Sequence, residues 1–312
     1  MTSFAVVFPG QGSQSVGMLD AFADHPAVRQ TLEEASSTLG EDLFQLMHAG
    51  PKEQLDLTTN TQPVMLAAGI ACWRALHAET GLMPVAFAGH SLGEYTALVA
   101  AGALSLADAL PLVRFRAQAM QDAVPAGEGA MAAILGLDAD AVVAGCAEAA
   151  AACGEPVGAA NFNDPKQTVI AGTKAAVDRA CELLKARGAR RAVPLAVSAP
   201  FHCELMKPAA ERLRERLGGV ALAAPTVAVV NDVDVAAPVE PAAIADALYR
   251  QAYRPVRWVE VVRALRARGV THVVECGPGK VLAGLTRRID ADLVSLAVHD
   301  PASLAEAKGT LA

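Results

Sequence analysis

Residues 85–93 constrain this chain more than any other stretch. Val85-Ala86-Phe87-Ala88 is a short, uncharged, strand-like run, and Gly89-His90-Ser91-Leu92-Gly93 follows it at once, leading into a helical pattern that ends at Gly102. Strand, tight turn and helix in that order make a Gly-x-Ser-x-Gly elbow, in which small residues on both sides let the backbone bend and leave the serine hydroxyl exposed. The free amides and positive dipole end of the following helix point at the same spot. The pattern therefore predicts a nucleophile at Ser91 and half of an oxyanion site at the backbone N–H of Leu92. A pentapeptide with three fixed positions also arises by chance; the flanking strand and helix argue against that here.

The other half of the oxyanion site is expected at the end of a second strand. Phe4-Ala5-Val6-Val7-Phe8 is apolar and β-rich and runs into Pro9-Gly10-Gln11-Gly12, a loop placed where open α/β sheets bind ligands. The Gln11 N–H would join that of Leu92 in holding a developing negative oxygen. A phosphate-binding loop fits worse, because Ser15 stands at the third glycine position of G-x-G-x-x-G and no G-x-x-x-x-G-K is present.

The rest of the chain reads as α/β. Val28, Leu32, Ala35 and Leu39 form an apolar helical stripe closed by Gly40. A second helix is predicted from Pro63, in its first turn, to Gly81. Ser105-Leu106-Ala107-Asp108 has the form of a capping box opening a helix to about residue 124, with a kink expected at Pro111. From 127 to 197 the pattern changes to strand (130–135), helix (139–152), two strands about Asn163-Asp164-Pro165-Lys166, helix (175–187) and strand (192–197). That βαββαβ order is ferredoxin-like. Strands at 226–230 and 272–276, separated by helices, then resume a doubly wound sheet. Two units are expected: a catalytic domain of residues 1–126 plus 198–312, and an inserted subdomain of residues 127–197.

Composition excludes several classes. With 312 residues, 53% hydrophobic and 19% charged, the chain can bury a large core, and its net charge of −7 lacks the basic footprint of a nucleic-acid or anionic-membrane binder. The first residues show no leader pattern and no run suits a membrane span, so a cytoplasmic protein is expected. Six scattered cysteines (Cys72, Cys146, Cys153, Cys181, Cys203, Cys276) form no C-x-x-C pair and no metal-ligand spacing, so reduced thiols and no metal are expected.

A serine hydroxyl needs a proton acceptor, and the chain has seven histidines. His25, His48 and His77 read as surface residues, His90 points away from Ser91 in a tight elbow, His272 starts a strand and His299 lies in the tail. His202 sits in Ser198-Ala199-Pro200-Phe201-His202-Cys203, a loop between a strand and a helix, where functional groups belong. A structural histidine remains the competing reading of that position.

These residues resemble the malonyl-CoA:acyl carrier protein transacylases of fatty acid synthesis. The resemblance covers nearly the whole chain and rests on Phe8-Pro9-Gly10-Gln11-Gly12, Gly89-His90-Ser91-Leu92-Gly93-Glu94, Gly129-Ala130-Met131-Ala132-Ala133-Ile134, Asn161-Phe162-Asn163, His202 in its loop, Val230-Asn231-Asp232-Val233-Asp234 and Gly277-Pro278-Gly279-Lys280. It implies an α/β-hydrolase-like domain with an inserted ferredoxin-like subdomain. It further implies that Ser91 attacks the malonyl thioester of malonyl-CoA, that His202 takes its proton, and that Gln251 orients the imidazole through a backbone carbonyl. Arg116, in Arg114-Phe115-Arg116-Ala117-Gln118, matches the arginine that binds the free malonyl carboxylate, a role for which the bidentate guanidinium suits. Arg114 reads as the surface charge of that helix. Phe201 resembles the malonyl-selective pattern of polyketide acyltransferase domains, and Gln62 and Asn163 are pocket candidates.

The resemblance implies no bound cofactor and an acidic acyl carrier protein as partner, for which Lys185, Arg187, Arg190 and Arg191, or else Arg287 and Arg288, are candidate docking patches. A monomer is expected. The rival reading is an esterase or thioesterase, whose Ser, acid, His order would need Asp232 or Asp234 followed by His272. A non-enzymatic scaffold that only binds the carrier is a third reading. Among acyltransferases, a polyketide pathway served in trans and malonate decarboxylase loading stay open.

Overall fold

The computed structural model describes residues 2–312. Its strands, in chain order, are β1 (Phe4–Phe8), β2 (Ala86–Gly89), β3 (Gly129–Leu135), β4 (Val157–Asp164), β5 (Gln167–Thr173), β6 (Arg191–Pro194), β7 (Ala228–Val230), β8 (His272–Cys276) and β9 (Val294–Val298). They form two sheets, a parallel one in the order β7-β2-β1-β8-β9 and an antiparallel one in the order β4-β5-β3-β6.

The parallel sheet is apolar on both faces because helices cover both. Along β1, Phe4, Val6 and Phe8 face one core cluster while Ala5 and Val7 face another, so the strand reads as a continuous apolar run. In register, Phe8 pairs with Gly89 and Phe4 with His272. The carboxyl ends of β1 and β2 thus lie side by side, and His272 lies at the opposite end of the sheet. On one face packs the helix Thr58–Thr80, buried almost all round over residues 61–73. It begins five residues before Pro63, which sits inside it rather than in the first turn as expected. Asn60 and Thr61 donate their N–H groups to the Leu57 carbonyl and start the helix there; Pro63 simply forgoes one later bond. The Ser105 cap forms as expected, its hydroxyl accepting the Asp108 N–H at 3.0 Å, and Pro111 lies within Leu106–Asp122.

The antiparallel sheet has the βαββαβ order read from the sequence. Its alternation positions the site: Ala132 and Ile134 of β3 pack under the helices Ala139–Cys153 and Lys174–Ala186, whereas Met131 and Ala133 face a cavity against the main sheet. β6 ends at Pro194, short of the expected 197, and residues 195–197 turn into a partly exposed loop. β9 and the helix Pro301–Leu311 are additions to the sequence reading, and they place His299 between them rather than in a tail. β4 is tied to the main body through Phe162 N–H to the Val256 carbonyl (2.9 Å), Val256 N–H to the Ala160 carbonyl (2.9 Å) and Arg288 to Asp164 (2.7 Å). Among the described residues no helix is long and apolar enough to cross a membrane, and no group of three or more His, Cys, Asp or Glu could hold a metal.

Candidate active site

The glycines of the elbow are required by contact. A Cβ on Gly89 would stand 1.9 Å from Gly93, and one on Gly93 would stand 2.1 Å from the Phe8 carbonyl oxygen. Between them Ser91 adopts φ 55° and ψ −108°, a conformation that costs a non-glycine residue about 1–3 kcal/mol and clusters at functional sites. The helix Leu92–Ala100 begins at the next residue. Gly10 approaches the same elbow, since a Cβ there would lie 2.7 Å from the His90 carbonyl oxygen, and this brings Gln11 over the turn. Gln11, Ser91 and Leu92 line one cavity of about 700 Å³, and the backbone N–H groups of Gln11 and Leu92 find no acceptor among the described residues.

Ser91 Oγ and His202 Nε2 are 2.6 Å apart, and His202 Nδ1 is 2.9 Å from the backbone carbonyl oxygen of Gln251. A carbonyl only accepts, so Nδ1 carries the proton and Nε2 is free to take that of the serine. His202 is buried and also has a positive φ, 59°. Burial and then the charge of Arg116 push its pKa down from 6.5 to about 3, against the pull of the Gln251 carbonyl. The imidazole is therefore neutral at neutral pH.

Arg116 projects from the helix Leu106–Asp122 into the same site and is 2% exposed. Its Nη1 donates to Gln62 Oε1 (2.9 Å) and its Nη2 to Ser91 Oγ and Gln251 Oε1 (3.2 Å each). All three acceptors are neutral. The guanidinium also lies over the Tyr95 ring, 5.4 Å from its centroid. Arg114, two residues away, instead faces outward and forms a fork with Glu41.

Compared with known proteins, residues 5–297 match the acyl transferase domain family. The chain is 53% identical over 308 residues to the malonyl CoA-acyl carrier protein transacylase of Salmonella typhimurium, covering 98% of this chain and 99% of that one. The Bacillus subtilis protein of the same name is 47% identical, covering 100% and 98%. This chain belongs to the malonyl-CoA:acyl carrier protein transacylase family. Solved structures agree: the acyl-carrier-protein S-malonyltransferase of Burkholderia pseudomallei superposes with a TM-score of 0.97 at 64% identity, covering 99% of this chain and 100% of that one. A malonyl-transacylase in complex with a type II PKS acyl-carrier protein also gives 0.97, at 50% identity, covering 99% and 100%.

Among the transacylase candidates, the structure brings Ser91, His202, Gln251, Arg116, Gln62, Gln11 and Leu92 together. Phe201 and Asn163 line the same cavity, and Asn163 Oδ1 also accepts from His90 Nε2 at 2.9 Å, so His90 points away from Ser91 as expected. The hydrolase arrangement is not assembled. His272 is at the far end of the sheet and contacts Thr271, Asp234 pairs with Arg250, and Asp232 sits beneath Ser91 rather than beside a histidine. Of the basic residues, Lys185, Arg190 and Arg191 are exposed, while Arg187 pairs with Glu148 and Arg288 with Asp164, and Arg287 donates to the Ser295 carbonyl.

Sequence reasoning assigned no role to Glu94, the residue that follows the pentapeptide. It is a buried carboxylate in the otherwise uncharged helix Leu92–Ala100, and that isolation is the signal that could have drawn attention to it.

Proposed function

We propose that this chain moves a malonyl group from malonyl-CoA to the phosphopantetheine thiol of acyl carrier protein through a malonyl-serine intermediate. The observation that carries the reading is the buried Arg116, whose Nη2 lies 3.2 Å from Ser91 Oγ and which has only neutral acceptors. A buried guanidinium calls for an anion, and a malonyl group attached at Ser91 carries a carboxylate within its reach.

His202 Nε2 takes the Ser91 proton as Oγ attacks the thioester carbonyl, and the N–H groups of Gln11 and Leu92 hold the oxyanion. The intermediate collapses, the carbon–sulfur bond breaks, and the CoA thiolate takes the proton from His202. In the second half His202 removes the proton of the carrier thiol, the thiolate attacks malonyl-Ser91, and Oγ leaves with that proton. The malonyl carboxylate, once paired with Arg116, cancels the charge that depresses His202, so the base strengthens when the correct acyl group arrives. No acidic third member is needed, because a thioester is already reactive and a thiolate leaves readily; the Gln251 carbonyl suffices to orient the ring.

The same reading gives Gln62 and Asn163 to the pocket wall and makes Phe201 a barrier to branched acyl groups. It treats residues 127–197 as an inserted subdomain on a catalytic body of residues 1–126 and 198–312, and the protein as a cytoplasmic monomer without a bound cofactor. Of the candidate patch, Lys185, Arg190 and Arg191 are exposed and form no ion pair among the described residues, and they are the cations proposed to meet an acidic carrier. Fatty acid synthesis is the proposed role. A carrier from polyketide synthesis is the second reading, favoured by the solved complex of a relative with such a partner.

Incubation with malonyl-CoA followed by intact-mass measurement tests the proposal. A single adduct of malonyl size, absent in Ser91→Ala and weak with acetyl-CoA, is expected. Free malonate without an adduct would mark a hydrolase, and neither adduct nor turnover would mark a scaffold.

A further inference from the structure

Beneath Ser91, on the side away from the cavity, lie two buried carboxyl groups that the reaction scheme does not use. Glu94 is 2% exposed and Asp232 is 0% exposed. Asp232 Oδ2 accepts the backbone N–H of Ser91 at 2.8 Å. Glu94 Oε2 accepts the backbone N–H of Asp232 at 2.9 Å. Both carboxyls also meet the Gln251 side chain, whose Nε2 donates to the Ser91 carbonyl oxygen and to Glu94 Oε2 (2.9 Å each) and approaches Asp232 Oδ2 at 3.4 Å. The Gln251 amide is thereby fixed with its nitrogen toward the acids and its oxygen toward Arg116.

Asp232 Oδ1 has no donor among the described residues. A buried carboxylate oxygen without a donor is costly, and protonation of the acid removes that cost. Burial and the Glu94 charge hold Asp232 well above the usual carboxylate range, and burial raises Glu94 as well. Two acids in contact cannot both ionise cheaply. The turn that presents Asp232 is itself strained, since Val235, a β-branched residue, has φ 58°. Asn231 braces it by accepting the Asp234 N–H at 2.9 Å.

We propose that Asp232 and Glu94 act as one carboxyl pair holding a single proton, and that this pair positions the nucleophile, the base and the malonyl-binding arginine together. It clamps the Ser91 backbone directly. Through Gln251 it fixes the carbonyl that holds His202 and the amide oxygen that holds Arg116. With one proton the pair carries one negative charge, which balances Arg116 from a distance and leaves the guanidinium without a carboxylate partner. The charged and titratable groups facing the pair are Arg116 from the helix Leu106–Asp122, Tyr95 on the elbow helix, and His202 beyond Gln251. Loss of the proton at high pH would place a second negative charge behind the site, weakening the hold on the malonyl carboxylate.

The inference rests on the malonyl-transfer reading, and wild-type loading of Ser91 tests that reading separately. Single-turnover loading with malonyl-CoA, followed by intact mass against pH, tests the pair in Asp232→Ala, Asp232→Asn and Glu94→Gln. In Asp232→Ala the loading rate at saturation should fall about 100-fold, the size of effect that a small misplacement of reacting groups produces, with little change in half-saturation. Asp232→Asn, which resembles the protonated acid, should recover most of that loss and should lose the alkaline limb of the wild-type profile. Glu94→Gln leaves a single acid with no second charge to acquire, so the same flattening at high pH is expected. Equal loss in Asp232→Asn and Asp232→Ala, with both folded by thermal melting, would overturn the shared proton. Wild-type rates and pH profile in Asp232→Ala would overturn the positioning role. If Asp232→Ala fails to fold, Asp232→Asn decides alone, a retained alkaline limb counting against the pair.

Discussion

On the cavity side of Ser91 the protein presents donors: the Arg116 guanidinium and the N–H groups of Gln11 and Leu92. On the buried side it presents acceptors, the carboxyls of Glu94 and Asp232 and the carbonyl of Gln251. The difference teaches how one serine can hold a charged acyl group. The buried side is bonded to the Ser91 backbone and to Gln251 and keeps the elbow rigid, whereas the cavity side is left with donors facing where an oxyanion and a carboxylate would sit. A hydrolase elbow needs only the first of those anion sites; Arg116 adds the second.

Removing Arg116 should break this contrast most severely. Arg116→Ala is expected to slow malonyl loading about 100-fold or more, in line with loss of a buried charged pair, while acetyl loading changes far less. Equal losses for both acyl groups would show that the arginine does not read the carboxylate. Lysine should not rescue it, since a point charge lacks the fork. Next in size is an effect on stability, set by the depressed His202. The unfolded imidazole takes a proton near pH 6.5 and the folded one resists until about 3, so stability falls as pH drops through that window and this group adds no slope above it. Urea titrations at pH 7.5 and pH 5 should differ by about 2 kcal/mol more in the wild type than in His202→Gln. Identical slopes would contradict the depressed base. Smallest is the contrast inside one helix: Arg114→Ala, at the exposed fork with Glu41, should leave loading unchanged and move stability by no more than about 0.5 kcal/mol.

The two sides of Ser91 also differ in how far the sequence reveals them. Gly89, Ser91 and Gly93 announce themselves because a sharp turn restricts residue type locally, and His202 stands out by its loop. Gln251 and Arg116 became visible only through resemblance, since an arginine on a helix looks the same whether it faces solvent or a buried serine. The Glu94 and Asp232 pair was not legible at all: residues 138 apart in sequence meet only when the turn after β7 folds under the elbow. In the fold, the βαββαβ order was readable because each element carries its own period. β9 escaped because Val294-Ser295-Leu296-Ala297-Val298 is a short strand at the edge of its sheet, whose identity comes from pairing with β8. The start of the helix Thr58–Thr80 is hidden in the sequence because Pro63 suits a first helical turn, whereas the chain begins the helix five residues earlier.

The fate of the loaded enzyme tests the central claim most directly. Malonyl-Ser91 enzyme, freed of CoA, is divided between buffer and acyl carrier protein bearing its phosphopantetheine thiol, and both proteins are weighed over time. The account predicts a long-lived adduct in buffer and rapid appearance of malonyl on the carrier. Release of malonate at the same rate with and without the carrier would contradict it.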